Sequence, residues 1–292
     1  MTALAEQAPR AAGAAALASG KGHKDENFPV ASLLIRPEHR APIMAFYRFA
    51  RAADDVADHP TAAPVEKLAR LEAMRAGLTG ESDADPAAAA LRAALAGRGL
   101  DAGHALDLLE AFRRDVTVNR YADWDALIDY CRYSAMPVGR FVLDVHGEDR
   151  ALWPASDALC AALQIINHLQ DCGKDYRAID RVYLPADRLA AHGATVDMLA
   201  APRAAPALKA AIGEAAGEAE ALLARSAGFA HAIADRRLGM EVAAIQRLAE
   251  SLAARLRRRD PLAEKVHHGR MEALMIAGRA ALGRMIARGG RA

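Results

Sequence analysis

The sequence consists almost entirely of segments with the apolar period of an α-helix, separated by glycine, proline and short polar stretches. We expect helices at 37–58, 64–79, 86–98, 103–118, 123–146, 155–176, 205–232, 237–258 and 261–288. The segment 123–146 is expected to kink at Pro137 and Gly139, and residues 181–185 lack the helical period. About a quarter of the residues are alanine, the strongest helix former, whereas 5% are aromatic. This pattern predicts an all-α chain and disfavours a β-sandwich or barrel.

The length of 292 residues and the absence of a long linker favour one α-helical domain over residues 26–292, preceded by a flexible N-terminal tail at residues 1–25. A net charge of +1 gives no reason to expect nucleic acid as a partner. The cysteines, Cys131, Cys160 and Cys172, do not have the spacing of metal ligands. Because the sequence also shows neither a signal peptide nor a membrane-spanning segment, we expect a reduced, cytoplasmic setting.

The first acidic cluster lies at the end of the first expected helix. Asp54 and Asp58 are four positions apart, so their carboxylates lie on one face of a helix. Like charges at this spacing repel each other, and a bound divalent cation would offset that repulsion.

The second cluster lies in the apolar segment 155–176 and is spaced over about three helical turns. Its members, which share one face, are Gln164, Asn167, Asp171 and Asp175. Amide and carboxylate oxygens are the ligands of hard cations, which favours Mg²⁺ over Zn²⁺. Mg²⁺ is usually held together with phosphate oxygens, so the stripe predicts a phosphate or diphosphate substrate.

Either cluster alone is also typical of a solvated acidic helix face. Two such stripes more than one hundred residues apart in a single all-α chain favour two helices that face each other across a cavity. Polar groups within an apolar segment are costly to bury unless they have partners, which favours a binding site at the second stripe.

These motifs resemble those of the squalene and phytoene synthase family, the head-to-head prenyl synthases. The family's first motif, DxxxD, is matched by Asp54 and Asp58, and its second, QxxNxxxDxxxD, is matched by the stripe that begins at Gln164. The resemblance covers about residues 25–260. It implies a single-domain helical bundle of the isoprenoid (terpenoid) synthase type with a central cavity, and Mg²⁺ as the cofactor.

Two departures from the family pattern narrow the resemblance. Many condensing members carry an arginine before the first aspartate of the second motif, where this chain has Gln170, and a Ser-Phe pair where it has Glu26-Asn27-Phe28. The strings ENFPVAS and NHLQDC look like those of one bacterial subgroup, the hydroxysqualene synthases of hopanoid-linked squalene biosynthesis. That subgroup converts presqualene diphosphate into the long isoprenoid hydroxysqualene, and the carbocation is captured by water. NADPH is therefore not expected.

The resemblance also implies roles for individual residues. The implied metal ligands are Asp54, Asp58, Asn167, Asp171 and Asp175. The aspartates of that set and Tyr183 are the catalytic candidates. The substrate-binding candidates are Phe28, Tyr47, Arg51, Tyr130, Gln164, Asn167, Lys174 and Arg181.

Two other functions remain open at this point. The first is condensation of two prenyl diphosphates into presqualene diphosphate, squalene or phytoene, as in other family members. A non-catalytic helical scaffold that contacts neighbouring pathway enzymes is the alternative from a different class.

The C-terminal segment, from Arg255 onward, is basic and also carries an apolar stripe that includes Met271 and Leu274. A basic amphipathic helix can lie on anionic lipid, so we expect peripheral contact with the inner face of the membrane. A last bundle helix with a solvated arginine face would have the same pattern.

Overall fold

The computed structural model describes residues 35–289, with side chains through Ile286. The α-helices are α1 (Pro37–Ala57), α2 (Pro64–Thr79), α3 (Pro86–Ala96), α4 (Gly103–Thr117), α5 (Trp124–Ser134), α6 (Met136–His146), α7 (Trp153–Ile179), α8 (Ala186–Ala191), α9 (Pro206–Arg225), α10 (Phe229–Ala232), α11 (Arg236–Leu256) and α12 (Arg270–Gly289). Short 3₁₀ helices occupy Arg150–Leu152 and Val196–Ala200. Over residues 35–289 the backbone forms no β-strand, which confirms the all-α prediction. Phe28 and the tail at 1–25 lie outside the described residues.

The beginnings of the helices follow from local chemistry. Proline occupies the first turn of α1, α2, α3, α6, α7 and α9, where a missing N–H costs no hydrogen bond. Asp85, Asp123 and Asp235 accept backbone N–H groups as N-caps of α3, α5 and α11. These signals explain why most of the helix starts lie close to the positions that the sequence predicts.

Three predicted helices were wrong in extent. The segment 123–146 is two helices, because the chain breaks at Ala135 and restarts with Pro137 in the first turn of α6. The segment 205–232 divides into α9 and α10 at residues 226–228. The helix predicted from 261 starts at Arg270, since the Asp260 carboxylate accepts the N–H groups of Leu262 and Ala204 and holds the chain in a turn.

Helix α7 runs through the middle of the molecule and packs against α5, α6, α9 and α11. Buried apolar side chains form two clusters. One surrounds α7, and the other comprises residues of the four helices α1, α2, α3 and α4 together with Phe141 and Val145 of α6. Gln164 and Asp175 of the second polar stripe on α7 line one cavity together with Asp54 and Asp58 of α1.

The chain turns sharply at the end of α7. Asp180 has a φ of 51°, a left-handed conformation that aspartate adopts more readily than most residues. The following segment runs beside residues 119–121, and the Val182 N–H donates to the Asn119 carbonyl at 2.9 Å. This turn carries Arg181 and Tyr183 back into the interior.

Among the helices of residues 35–289, none combines the length and the apolar character needed to cross a lipid bilayer.

Candidate active site

The first acidic motif forms one wall of a polar cavity of about 300 Å³. Asp54 and Asp58, at the end of α1, both line it. Arg51, one turn earlier, lies 2.8 Å from Asp54 and 3.2 Å from Asp55. Burial, followed by repulsion from Asp58, raises the pKa of Asp54 to about 7. This wall therefore carries more acidic groups than the single positive charge of Arg51 can neutralise.

The second stripe contributes the opposite wall, although not all of its members reach the cavity. Gln164 and Asp175 line it. Burial raises the pKa of Asp175 to about 7, and repulsion from Asp171 adds to this effect. The Asp171 side chain is 45% exposed and lies 3.3 Å from Lys174, and neither residue is part of the wall, nor is Asn167.

Asp115 is a site residue that the sequence reasoning missed. This α4 carboxylate is buried, and it accepts hydrogen bonds from the hydroxyl groups of Tyr130 (3.0 Å) and Tyr183 (3.2 Å). Burial raises its pKa to about 6, although Arg181 opposes the shift. Its helical spacing could have identified it, because Asp115 lies seven positions after Leu108 and four after Ala111, on the buried face of α4.

Arg181 joins the walls of the cavity. Its Nη1 donates to Asp58 Oδ1 at 2.9 Å, and its Nη2 donates to the backbone carbonyl of Asp115 at 2.9 Å. The sequence named Arg181 and Tyr183 as candidate site residues. In the structure both are buried and line the polar cavity, since the chain folds inward after Asp180.

His168 belongs to the cavity as well, one helical turn after Gln164. The two rings of His168 and Tyr183 stack with centroids 3.3 Å apart, and Gln164 Nε2 donates to His168 Nε2 at 2.9 Å. Burial, together with the positive charge of Arg181, lowers the pKa of His168 to about 3. The imidazole is therefore neutral near pH 7.

An apolar cavity, also of about 300 Å³, adjoins the polar one. The two share Tyr47 and Ala50 of α1. The rest of its wall is mainly aliphatic and aromatic, and it comes from α1, α6, α7, α10 and α11. A ligand with a charged head and a long hydrocarbon part can occupy both spaces at once.

Gln170 lies on another face of α7. It is buried, and its amide donates to the backbone carbonyl of Val266. The position that distinguishes this chain from many condensing relatives therefore contacts the loop before α12. Among the described residues, Arg51 and Arg181 are the arginines that line the polar cavity.

The donor set of the polar cavity fits hard divalent cations. Within residues 35–289, three candidate ligand atoms lie within 4.8 Å of one another only at His39, His146 and Asp235. There, Arg98 contacts His39 at 3.1 Å and Arg36 contacts Asp235 at 3.1 Å, so guanidinium groups already occupy those ligands. Asp54, Asp58 and Asp175 are spaced more widely. This spacing suits Mg²⁺, which keeps several waters and shares its coordination with substrate phosphate.

The comparisons with known proteins agree with this geometry. The sequence model of the squalene/phytoene synthase family matches residues 21–272. A hydroxysqualene synthase of Zymomonas mobilis is 62% identical over 93% of this chain and 92% of its own length. One of Rhodopseudomonas palustris is 55% identical over 87% of both chains. Chloroplastic phytoene synthase 1 of Arabidopsis thaliana is 35% identical over 58% of this chain.

Solved structures give the same fold. The squalene synthase HpnC from Alicyclobacillus acidocaldarius superposes with a TM-score of 0.69 at 35% identity, over 78% of this chain and 87% of that one. A dehydrosqualene synthase bound to a ligand superposes with a TM-score of 0.77 at 20% identity, over 90% of this chain and 93% of that one, which supports the fold alone.

Proposed function

The chain belongs to the squalene/phytoene synthase family, and we propose that it converts presqualene diphosphate into hydroxysqualene and diphosphate. The observation that carries this proposal is that two unlike cavities adjoin each other and share lining residues. A carboxylate- and arginine-lined space meets a hydrocarbon-lined space at Tyr47 and Ala50. The reaction's substrate has the same two parts.

The chain is a prenyl diphosphate-processing enzyme with a role in squalene-type isoprenoid biosynthesis. Identities of 52–62% to three hydroxysqualene synthases, against 33–35% to phytoene synthases over a shorter match, favour this reaction over condensation of two prenyl diphosphates. A purely structural scaffold is not favoured for the same reason.

Enzymes of this family generally depend on a divalent metal. For this chain we assign the ligands to Asp54, Asp58 and Asp175, which line the cavity, and we propose Asn167 and Asp171, which lie outside its lining, as further members of the set. Mg²⁺ at these positions would neutralise the diphosphate as its negative charge develops. Burial raises the pKa of Asp54 and Asp175, and repulsion from Asp58 and Asp171, respectively, adds to this effect. These shifts support the assignment, because a bound cation would stabilise the ionised carboxylates against both influences.

The protein's own residues orient the leaving group. Arg51 and Arg181 line the polar cavity, and both are already held by carboxylates, so their guanidinium groups are preorganised for a diphosphate. Lys174, which is 61% exposed beside Asp171, is placed to approach it from solvent. The scissile C–O bond breaks with both electrons going to diphosphate.

The carbocation would form near the junction of the two cavities. Tyr130, Ser134 and His168 line the polar cavity as neutral groups, which can hold a water molecule without adding charge. The water oxygen bonds to the rearranged cation, and its proton passes to diphosphate or to bulk water. No hydride donor takes part.

We place the reaction in the cytoplasm, at the inner face of the membrane, because the substrate and the product both carry a long hydrocarbon skeleton. The functional partners are the enzymes that supply presqualene diphosphate and consume its alcohol. We further propose one catalytic domain over residues 26–292, with 1–25 as a tail and Phe28 among the substrate contacts.

Incubation of the purified chain with each candidate substrate tests the proposal. We expect presqualene diphosphate to give hydroxysqualene with Mg²⁺ and without NADPH. Farnesyl diphosphate alone should not be consumed. Turnover of farnesyl diphosphate at a comparable rate would instead assign the chain to the condensing members.

A further inference from the structure

Helix α12 presents an apolar face to solvent. Of the eight large apolar side chains that are exposed in the described part of the chain, six lie on this helix: Met271, Leu274, Met275, Leu282, Met285 and Ile286. Spacings of three, four and seven residues bring them to one side of the helix. Met271 is 71% exposed and Leu274 is 65% exposed.

Contacts on the opposite side fix the direction of this face. Arg284 is buried and donates to the backbone carbonyls of Ala230 (2.7 Å) and Ile233 (3.1 Å). Near the start of the helix, Arg255 of α11 bonds to Glu272 and to the His267 carbonyl. Because both ends are held, the apolar face is directed away from the protein.

The charge of α12 is complementary to an anionic surface. Its sequence holds four arginines and a single acidic residue, Glu272, which is paired with Arg255. A rotation of about 100° per residue places Arg270 and Arg279, both exposed, on opposite edges of the apolar face. Arginine at the edges of an exposed apolar stripe is the pattern of a helix that lies in a membrane interface.

We propose that the apolar face of α12 docks this protein on an anionic phospholipid surface, with the helix lying in the plane of the membrane. The segment to which Arg284 bonds, at Ala230 and Ile233, also borders the apolar cavity. Phe229 of α10 and Leu238 of α11, on either side of this segment, line that cavity. Delivery of hydrocarbon substrate by this contact rests on the proposed function. Lipid binding itself does not.

Flotation with vesicles of phosphatidylcholine alone, or with one third phosphatidylglycerol, tests the proposal. We expect at least ten-fold stronger binding to the anionic vesicles, and weaker binding as salt is added. The triple variant Leu274→Gln, Leu282→Gln, Ile286→Gln should lose at least ten-fold. Removal of a flanking charge, Arg279→Gln, should cost about five-fold.

Val65→Gln is the matched control, because Val65 is 75% exposed on α2, a helix that does not belong to this surface. It should bind as the unmodified chain does. Helical content and Tm establish that each variant is folded. The inactive variant Asp54→Asn should still bind vesicles, so a failure of the proposed reaction is distinguishable from a failure of docking.

Three results would overturn the proposal. The first is the absence of anionic vesicle binding by the unmodified chain. The second is unchanged binding by the triple variant. The third is a dimer in solution that the triple variant converts to a monomer without any change in vesicle binding, which would identify the face as a contact between two copies.

Discussion

The carboxyl groups of Asp54, Asp115 and Asp175, at the polar cavity, are all buried in a way that disfavours their ionised forms. Burial raises the pKa of each, to about 7 for Asp54 and Asp175 and to about 6 for Asp115. The charged groups that surround the three carboxyl groups differ. After burial, the largest influence on the pKa of Asp115 is the favourable charge of Arg181, and two tyrosine hydroxyls also donate to this carboxylate. For Asp54 and Asp175 the second-largest influence is repulsion from another carboxylate. We therefore assign Asp115 to structure and the other two to cation binding.

The variant Asp54→Asn tests the second assignment. It removes one anionic oxygen ligand with little change in shape, so kcat/KM for presqualene diphosphate should fall about 100-fold or more. Asp125→Asn, at an exposed position of α5, is the control and should keep full activity. Equal activity of the two variants would contradict the cation-binding role.

Asp115→Asn tests the structural assignment. The amide keeps the volume but removes one of the two carboxylates near Arg181 and presents N–H groups to two tyrosine hydroxyls. The free energy of unfolding should fall by about 1–3 kcal/mol. Thermal denaturation without substrate measures this, and a Tm equal to that of the unmodified chain would argue against it.

Among individual site residues, the sequence predicted those whose arrangement follows from spacing along one helix. Asp54 and Asp58, or Gln164 and Asp175, are recognisable because one helix orders them. Asp115 was missed, and His168 was not among the candidate site residues, because their partners are distant in the sequence or depend on a turn. Tyr183 reaches both only after the chain reverses at Asp180, and no periodicity predicts that reversal.

Helix α6 packs tightly against α7 at Gly139. A Cβ atom there would lie 2.4 Å from Ser156 Oγ and 2.6 Å from Cys160 Sγ. The apolar cavity includes the same three residues, so this glycine sets both the packing distance and the shape of the cavity wall.

Gly139→Ala should therefore destabilise the protein, by about 1–3 kcal/mol. Differential scanning calorimetry should show a Tm lower by several degrees. Gly213→Ala in α9 is the control: its nearest neighbour is 3.8 Å away, so alanine should be neutral or stabilising by up to about 1 kcal/mol. Equal Tm changes for both variants would show that the close approach of Gly139 to Ser156 and Cys160 does not exclude a side chain at position 139.

Helix starts were predictable from proline and aspartate, but interruptions were less so. Pro137 was interpreted as a kink and instead begins a new helix, because Ala135 ends α5. Residues 261–269 have an adequate helical composition, yet the Asp260 carboxylate caps backbone N–H groups from two segments and prevents continuation. That side-chain competition depends on tertiary proximity.

In the whole molecule, α1 and α7 bring the two apolar clusters together around a site that carries an excess of carboxylate. Because the folded state raises the pKa of Asp54 and Asp175 from 3.8 to about 7, it binds more protons than the unfolded state within that range. The contribution of these groups to stability therefore falls as pH rises from about 4 to 7, and it stays low above 7.

Divalent cations should reverse this loss. We expect Mg²⁺ to raise the Tm by several degrees at pH 8 and by much less at pH 5, where protons occupy the same carboxylates. The variant Asp54→Asn should show a smaller Mg²⁺ effect at pH 8. A Mg²⁺ shift of equal size at both pH values, or none at pH 8, would contradict cation binding at these residues.

The measurement that tests the central claim most directly is a single-turnover reaction of presqualene diphosphate in H₂¹⁸O, with Mg²⁺ and without any reductant. The account predicts hydroxysqualene that carries one ¹⁸O atom, formed together with one diphosphate. An unlabelled alcohol, a hydrocarbon product, or no consumption of presqualene diphosphate by the folded chain would contradict it.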